Sequence, residues 1–313
     1  MEPWEKALIF VGVYMGVGLL LFEWAWAQVK PIRQVDEDRD SKYPAFRRWD
    51  AVNWQKWKFY PGALLFLPLR LVLTFTLLII CYLCTRILTL CYTFRNDRPL
   101  TGWRQSTIRC IYQFLAGALM RSLSMYSTRR KVDFDYSEYL GADYKETTPL
   151  PQRVSTLVCN HSTWVDTTML FQYFKHSFVS KKSVINAPIM GLVGQAMGCV
   201  FIPRGASQEI RDGIVQQIGE RQRQVEEEGE YPPFVIFPEG GTSNGTCLLP
   251  FKRGAFSSGR AVRPVVMKVS YSAMSPCYDI TPFVPLVFMN LCQLYAHFEI
   301  LELPPFVPNE YLY

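Results

Sequence analysis

Residues Ala7 to Phe22 form an uninterrupted apolar run, and only Glu23 separates it from Trp24-Ala25-Trp26-Ala27. These 21 residues with one charge are about as long as the ~20 residues a bilayer-crossing helix needs. The Trp pair suits the membrane–water interface. A second apolar run extends from Ala63 to Cys84, begins after Pro61-Gly62, and contains Pro68 and Arg70. An early Arg and a Pro are unusual in a plain span, so this run reads either as a span or as a hairpin within one leaflet. No comparable run follows in the 313-residue chain, which separates a membrane-facing N-terminal third from the rest.

Charge suggests an orientation. Residues 28–60 hold eight basic side chains against five acids, and residues 86–131 hold nine against Asp97 alone. Both flanks of the second run are therefore basic, and the positive-inside bias places both on the cytosolic face. Ile111, Phe114, Leu115, Ala118 and Leu119 recur at helical spacing and read as an amphipathic helix. The net charge of +6 suits a phosphate-rich bilayer surface and is too small to argue for nucleic acid. The one CxxC spacing among the nine Cys, Cys81-Tyr82-Leu83-Cys84, lies inside the second apolar run, so neither a disulfide framework nor a zinc site is expected. The three His, His161, His176 and His297, are too few and too scattered for a metal site of three His.

The expected organisation is a transmembrane anchor over 1–30, a membrane-associated region over 31–131 that includes the hairpin or span at 61–94, and an α/β domain over 132–313. In that domain short apolar β-branched runs alternate with helical patterns. Strands are expected at Val154–Cys159, Phe178–Ser180, Cys199–Ile202, Phe234–Phe237, Val262–Val269 (broken by Pro264) and Phe298–Leu303. Helices are expected at Ser162–Phe174, Pro188–Met197 and Ser207–Glu228, the last ended by Gly229. This alternation predicts a mostly parallel sheet flanked by helices.

Polar groups follow three of these strands: Asn160-His161, Arg204, and Glu239-Gly240-Gly241. Ligands of open α/β sheets bind beyond the carboxyl ends of the strands, so one edge of the sheet collects a base, a cation and a Gly-rich loop. His161 is the candidate general base, and Asp166 is placed to fix its tautomer if His161 lies in the loop before the helix. No Ser sits in a GxSxG elbow, so His161 is expected to activate the substrate's own hydroxyl for acyl transfer. Arg204 suits a phosphate. Gly240 and Gly241 allow backbone N–H groups to approach an anion, with Thr242 adding a hydroxyl. Glu239 suits a substrate hydroxyl or Arg204, and Lys252 adds positive charge nearby. Ala187–Met197 is a candidate wall for an acyl chain.

Asn160-His161 with Asp166 resembles the catalytic motif of glycerolipid acyltransferases, in which four residues separate the His from the Asp. Phe201-Ile202-Pro203-Arg204 is similar to their second block, Phe237-Pro238-Glu239-Gly240 to their third, and Val262 to Val266 to their fourth. The resemblance covers residues 150 to 310 and is nearest to the lysophosphatidylcholine acyltransferases and their lysophosphatidylethanolamine relatives. It rests further on Asn244, Thr246-Cys247, Phe251-Lys252, Leu291-Cys292-Gln293 and Glu299-Ile300.

The resemblance implies transfer of a fatty acyl chain from acyl-CoA to the free hydroxyl of a lysophospholipid. The implied catalytic residues are His161 and Asp166, with Asn160, Arg204, Glu239, Gly240, Gly241, Thr242 and Lys252 as substrate contacts. No metal and no cofactor are implied beyond the acyl-CoA substrate. The implied setting is a membrane, the endoplasmic reticulum, with the catalytic domain in the cytosol and a homodimer left open. Where the common third block reads Glu-Gly-Thr-Arg-Ser, this chain has Thr242 in place of the Arg, which disfavours acylation of glycerol-3-phosphate or lysophosphatidic acid. A phospholipid transacylase and a non-catalytic lipid-binding protein are the other readings.

Overall fold

The computed structural model describes residues 1–34, 36–94, 100–141, 150–203, 207–229 and 231–308. Helix α1 (Pro3–Gln28) opens with Pro3 in its first turn and a Glu2/Glu5 capping box. The short α2 (Glu37–Lys42) is capped by Asp36. Helices α3 (Tyr60–Leu65) and α4 (Leu67–Leu88) meet at Phe66. Pro61 and Pro68 fall in their first turns, where a missing N–H costs nothing. Residues 67–88 thus form one continuous helix that does not fold back on itself.

Helix α3 lies antiparallel to the second half of α1. The Tyr14 hydroxyl donates to the Leu65 carbonyl at 2.7 Å, Phe22 stacks on Phe59 at 5.6 Å, and Trp26 meets Trp54. Two glycines permit this packing. A Cβ on Gly18 would lie 2.1 Å from the Ala63 carbonyl oxygen, and one on Gly62 would lie 1.7 Å from that of Cys292. Arg70, unexpected in an apolar run, is buried. Its guanidinium donates to the carbonyls of Leu291 (2.5 Å) and Gln293 (2.6 Å) and to the Ser124 hydroxyl. It pins α4 to the domain and is not offered to lipid.

Helices α1 and α4 are each long and apolar enough to cross a membrane, and only 11% and 6% of their most apolar stretches are buried. The core helix of a water-soluble fold meets the same length and composition test but is mostly covered. Helix α5 (Gly102–Ser122) runs along α4, joined to it by a hydrogen bond between the Thr85 and Tyr112 hydroxyls (2.7 Å). Its buried face is Ile108, Tyr112, Leu115, Ala116, Gly117 and Met120. Of the expected stripe, Leu115 lies on this buried face and Phe114 is exposed.

Seven strands form one sheet, β1 (Met125–Lys131), β2 (Thr156–Cys159), β3 (Ser177–Lys181), β4 (Val200–Ile202), β5 (Phe234–Ile236), β6 (Val262–Tyr271) and β7 (Ala296–Glu302), in the order β1-β7-β6-β2-β5-β3-β4. Every pairing is parallel except β6 with β7. The mostly parallel α/β architecture is as the alternation predicts. β1 was not anticipated, because Thr-Arg-Arg-Lys lacks an apolar alternation and only pairing with β7 extends it. Pro264 does not break β6, because it lies beyond the β7 ladder, which begins at Val265. The remaining helices are α6 (Ser137–Leu140), α7 (Asp166–Phe171), α8 (Met190–Ala196), α9 (Gln208–Arg223) and α10 (Phe283–Cys292). Ser207 caps α9, and Gly229 closes its π-helical end in the left-handed region (φ 70°). In the 187–197 segment Gly191 and Gly194 bring α8 against Ile185 and Phe201, and this is close helix packing.

β2, β3, β4, β5 and β6 point the same way, so their carboxyl ends share one edge. The opposite edge holds His176, fully buried and stacked on Phe171 at 4.5 Å. Burial pushes its pKa down to about 4, against a favourable bond to the Phe174 carbonyl. The unfolded chain therefore takes up a proton near pH 6.5 that the folded chain refuses until about pH 4. Stability is expected to fall through that window as pH drops, by about 3 kcal/mol for this residue. Thermal melts at pH 7 and pH 4, in phosphate-free buffer, should show a smaller loss for His176→Asn than for the wild type. Equal losses would contradict a neutral buried imidazole.

Candidate active site

The loop after β2 turns sharply because Asp166 organises it. Asp166 is 1% exposed, and its Oδ2 accepts from the backbone N–H of Ser162 (2.8 Å) and Thr163 (2.9 Å) and from His161 Nδ1 (2.8 Å). Its Oδ1 accepts from the Thr163 hydroxyl. A carboxylate offers acceptors only, and here all its partners are donors. This assigns the Nδ1–H tautomer to His161 and leaves Nε2 as an acceptor at the surface of the loop, on a side chain 24% exposed. His161 and Asp166 meet because His161 precedes the helix and Asp166 begins it, as the five-residue spacing requires.

The third block closes on the same loop. Glu239 is buried, with Oε1 accepting from the His161 N–H (2.7 Å) and Oε2 from the Leu249 N–H (2.9 Å). The Ser243 N–H donates to the His161 carbonyl (3.1 Å). The Phe237 ring stacks on the imidazole in a nearly parallel plane, 4.1 Å from it. His161 is thus held from its backbone, its Nδ1 and its ring face, with Nε2 left for chemistry.

The residues proposed as substrate contacts divide into three groups. Glu239 and Asn160 are both held by backbone groups. Both Glu239 oxygens are taken up by backbone donors, and Asn160 exchanges two hydrogen bonds with the backbone of Met267 (3.0 and 2.8 Å), tying β2 to β6. Gly240, Gly241, Thr242 and Lys252 remain at the rim. Gly240 takes a positive φ of 73°, and the Lys252 side chain crosses it so closely that a Cβ would lie 2.2 Å from Nζ. A Cβ on Gly241 would meet nothing within 4 Å. Arg204 lies outside the described residues. No group of three His, Cys, Asp or Glu able to hold a metal occurs among the described residues.

Sequence reasoning missed a strap across this edge. Asn244 receives the 43–50 segment: its N–H donates to the Ala45 carbonyl (2.8 Å), and its Nδ2 to those of Pro44 (2.7 Å) and Arg47 (2.8 Å). Arg48, 4% exposed, donates to the carbonyls of Cys277 (2.6 Å) and Ser275 and to Asp279 Oδ2 (3.1 Å), and pairs with Asp50 at 2.9 Å off the line of a hydrogen bond. Burial pulls the Arg48 pKa down, and Asp279 and Asp50 more than reverse it. The Tyr278 N–H donates to the Ser162 carbonyl (2.8 Å), so the strapped loop also backs the His161 turn. Nothing in the sequence marks these contacts, whose partners lie about two hundred residues apart.

Residues 141–272 match the family model described as Acyltransferase. The chain carries an acyltransferase domain. Its matched segment holds the His161–Asp166 pair and the Glu239 loop and ends just past β6. The chain is 28% identical over 309 residues to the lysophospholipid acyltransferase LPEAT1 of Arabidopsis thaliana, covering 88% of this chain and 78% of that one. It is 26% identical over 249 residues to lysophosphatidylcholine acyltransferase 2 of Homo sapiens, covering 79% of this chain and 42% of the human protein. Among solved structures, the 1-acyl-sn-glycerophosphate acyltransferase PlsC of Thermotoga maritima aligns with a TM-score of 0.41 and 14% identity, over 66% of this chain and 71% of that one.

An aromatic ledge adjoins the acyltransferase site. Trp164, three residues after His161, meets Phe283 edge-on at 5.8 Å, and Tyr278 meets Phe283 at 5.6 Å. Phe283 and Val284, at the start of α10, are exposed. Helix α10 packs on α1, where Phe288 meets Trp24 at 5.8 Å. Apolar surface thus runs from the α1 helix to the mouth of the site.

Proposed function

We propose that the protein is a membrane-bound lysophospholipid acyltransferase that uses acyl-CoA as donor. The observation that carries this reading is the continuity of the α1–α10 apolar surface with the His161 turn. An acceptor anchored by its acyl chain can reach Nε2 without leaving the apolar phase. The names of the plant and human relatives, which acylate lysophospholipids by title, agree with it. Lysophosphatidylcholine and lysophosphatidylethanolamine are the favoured acceptors.

In this reading His161 Nε2 removes the proton of the lysophospholipid hydroxyl as its oxygen attacks the thioester carbonyl. Asp166 stabilises the imidazolium that forms. Collapse of the tetrahedral intermediate breaks the C–S bond, and the leaving sulfur takes the proton from His161. Neither a covalent acyl-enzyme nor a cofactor is needed. Lys252 and the Gly240-Gly241-Thr242 rim are proposed to receive the headgroup phosphate, with Arg204 proposed for the same role. α1 anchors the protein, with the α/β domain on the cytosolic side of the endoplasmic reticulum.

The test offers labelled acyl-CoA to the purified full chain with lysophosphatidylcholine, lysophosphatidylethanolamine, lysophosphatidic acid and glycerol-3-phosphate. A parallel reaction supplies a labelled phospholipid donor and no CoA. Transfer from acyl-CoA to the first two acceptors, well above glycerol-3-phosphate, is expected. Folded protein that transfers only from phospholipid, or not at all, would overturn the reading.

A further inference from the structure

A cavity of 290 Å³ opens at the edge of the sheet opposite His161. Four cations line it: Arg109 from α5, Arg153 before β2, Lys175 before β3 and Arg263 in β6, with His176 and Phe174 also in its wall. Of these, only Arg263 has a carboxylate partner among the described residues, Glu302 at 3.3 Å, which also pairs with Arg129. Arg153 donates to the Gly229 carbonyl (2.8 Å). Among the described residues Lys175 reaches only the Cys110 sulfur (3.3 Å). Arg109 Nε and Nη2 are buried without a hydrogen-bond partner among the described residues.

Clustering four cations with so little compensation is costly in a partly desolvated cleft, because the repulsion is weakly screened there. The cost shows at Arg109: burial, with the Arg153 charge added, pulls its pKa down to about 10. It still carries its charge at neutral pH. His176 adds a second uncompensated group. Its Nδ1–H donates to the Phe174 carbonyl (2.8 Å), so Nε2 is a fully buried acceptor with no partner among the described residues. An O–H of a protonated phosphate group or phosphorylated ligand would satisfy it, and the oxyanions would satisfy the guanidiniums.

We propose that this cavity is a second anion-binding site, taking a phosphate-bearing ligand on the edge of the sheet remote from the catalytic His161. Leu157 of β2 lines the cavity and His161 stands four residues further along the same strand and turn. At roughly 3.3 Å per residue the cavity wall lies about 13 Å from His161, too far for one phosphate to touch both. The site therefore binds a ligand distinct from the headgroup undergoing acylation. It touches the catalytic helix from behind, since His176 stacks on Phe171 and α7 runs from Asp166 to Phe171.

Pyrophosphate is the probe, titrated calorimetrically into the full chain in phosphatidylcholine nanodiscs. Saturable binding is expected, with at least a tenfold rise in Kd in both Arg109→Gln and Lys175→Gln, and no change in His161→Ala. Lys175 is exposed, so its variant keeps the test open if Arg109→Gln misfolds. Thermal midpoints confirm that each variant is folded, and acyl transfer does so for Arg109→Gln and Lys175→Gln. Absence of saturable binding, binding undiminished in both variants, or binding lost in His161→Ala would each overturn the proposal. Repeating the titration in discs that contain phosphatidic acid separates the sources. Competition by the discs supports a lipid headgroup in the site, and its absence supports a soluble phosphate ester.

Discussion

His161→Ala is expected to lower the turnover of acyl transfer roughly a thousandfold, within the hundred- to ten-thousandfold range that a positioned general base supplies. The loss should fall on kcat more than on the KM for either substrate, since Nε2 acts on the proton in flight and not on the headgroup. Asp166→Asn is the informative companion. Its Oδ1 can take the three donors that Asp166 Oδ2 now accepts, from His161 Nδ1, Ser162 and Thr163, and its amide can face the Thr163 hydroxyl. The turn should persist, and a kcat loss of roughly a hundredfold or more would then report the missing negative charge beside the imidazolium. Rates measured with labelled acyl-CoA at saturating acceptor, beside thermal midpoints, separate chemistry from folding. If His161→Ala retained wild-type turnover, the general-base assignment would fall.

The second large effect is on stability. Arg48→Ala should lower the thermal midpoint by about 10 °C, because breaking a buried ion pair costs about 3–5 kcal/mol and each kcal/mol moves the midpoint of a chain this size by about 2–4 °C. The cost comes from stranding Asp50 and Asp279 and the Ser275 and Cys277 carbonyls, whose cationic donor would be gone. Activity should fall with it, since the 275–279 loop leads into Tyr278, which backs the Ser162 carbonyl. Arg48→Lys keeps the charge but lacks the planar fork, and should land between the two. Differential scanning fluorimetry of the three proteins in one detergent decides this. An Arg48→Ala midpoint within a degree or two of wild type would show that the strap contributes little.

The local chemistry of the site was legible because it is carried by neighbours in sequence. Asp166 lies five residues from His161, and the turn that joins them needs only a strand ending at Cys159 and a helix starting after it. Alternating apolar runs marked five of the strands that deliver the site, and Gly229 marked the end of α9. The same local reading could not show what Glu239 and Asn160 bond to. A polar residue beside a candidate base looks like a substrate contact until its partners are known, and theirs are the backbone groups of His161, Leu249 and Met267. Arg70 in the α4 run and Pro264 in β6 looked like interruptions for a similar reason. Each is accommodated by a partner or a strand end that no local pattern encodes.

By itself, the sequence determined the apolar N-terminal third, the α/β alternation and the His161–Asp166 turn, because periodicity, chain length and short-range hydrogen bonds depend on residues close along the chain. Only the tertiary structure decided that β1 joins the sheet, that Arg48 straps the loops beyond the strand ends, that aromatic surface links α1 to the site, and that four cations converge behind it. These are meetings of segments separated by tens to hundreds of residues. Their energies come from burial and charge pairing that exist only once the chain has closed.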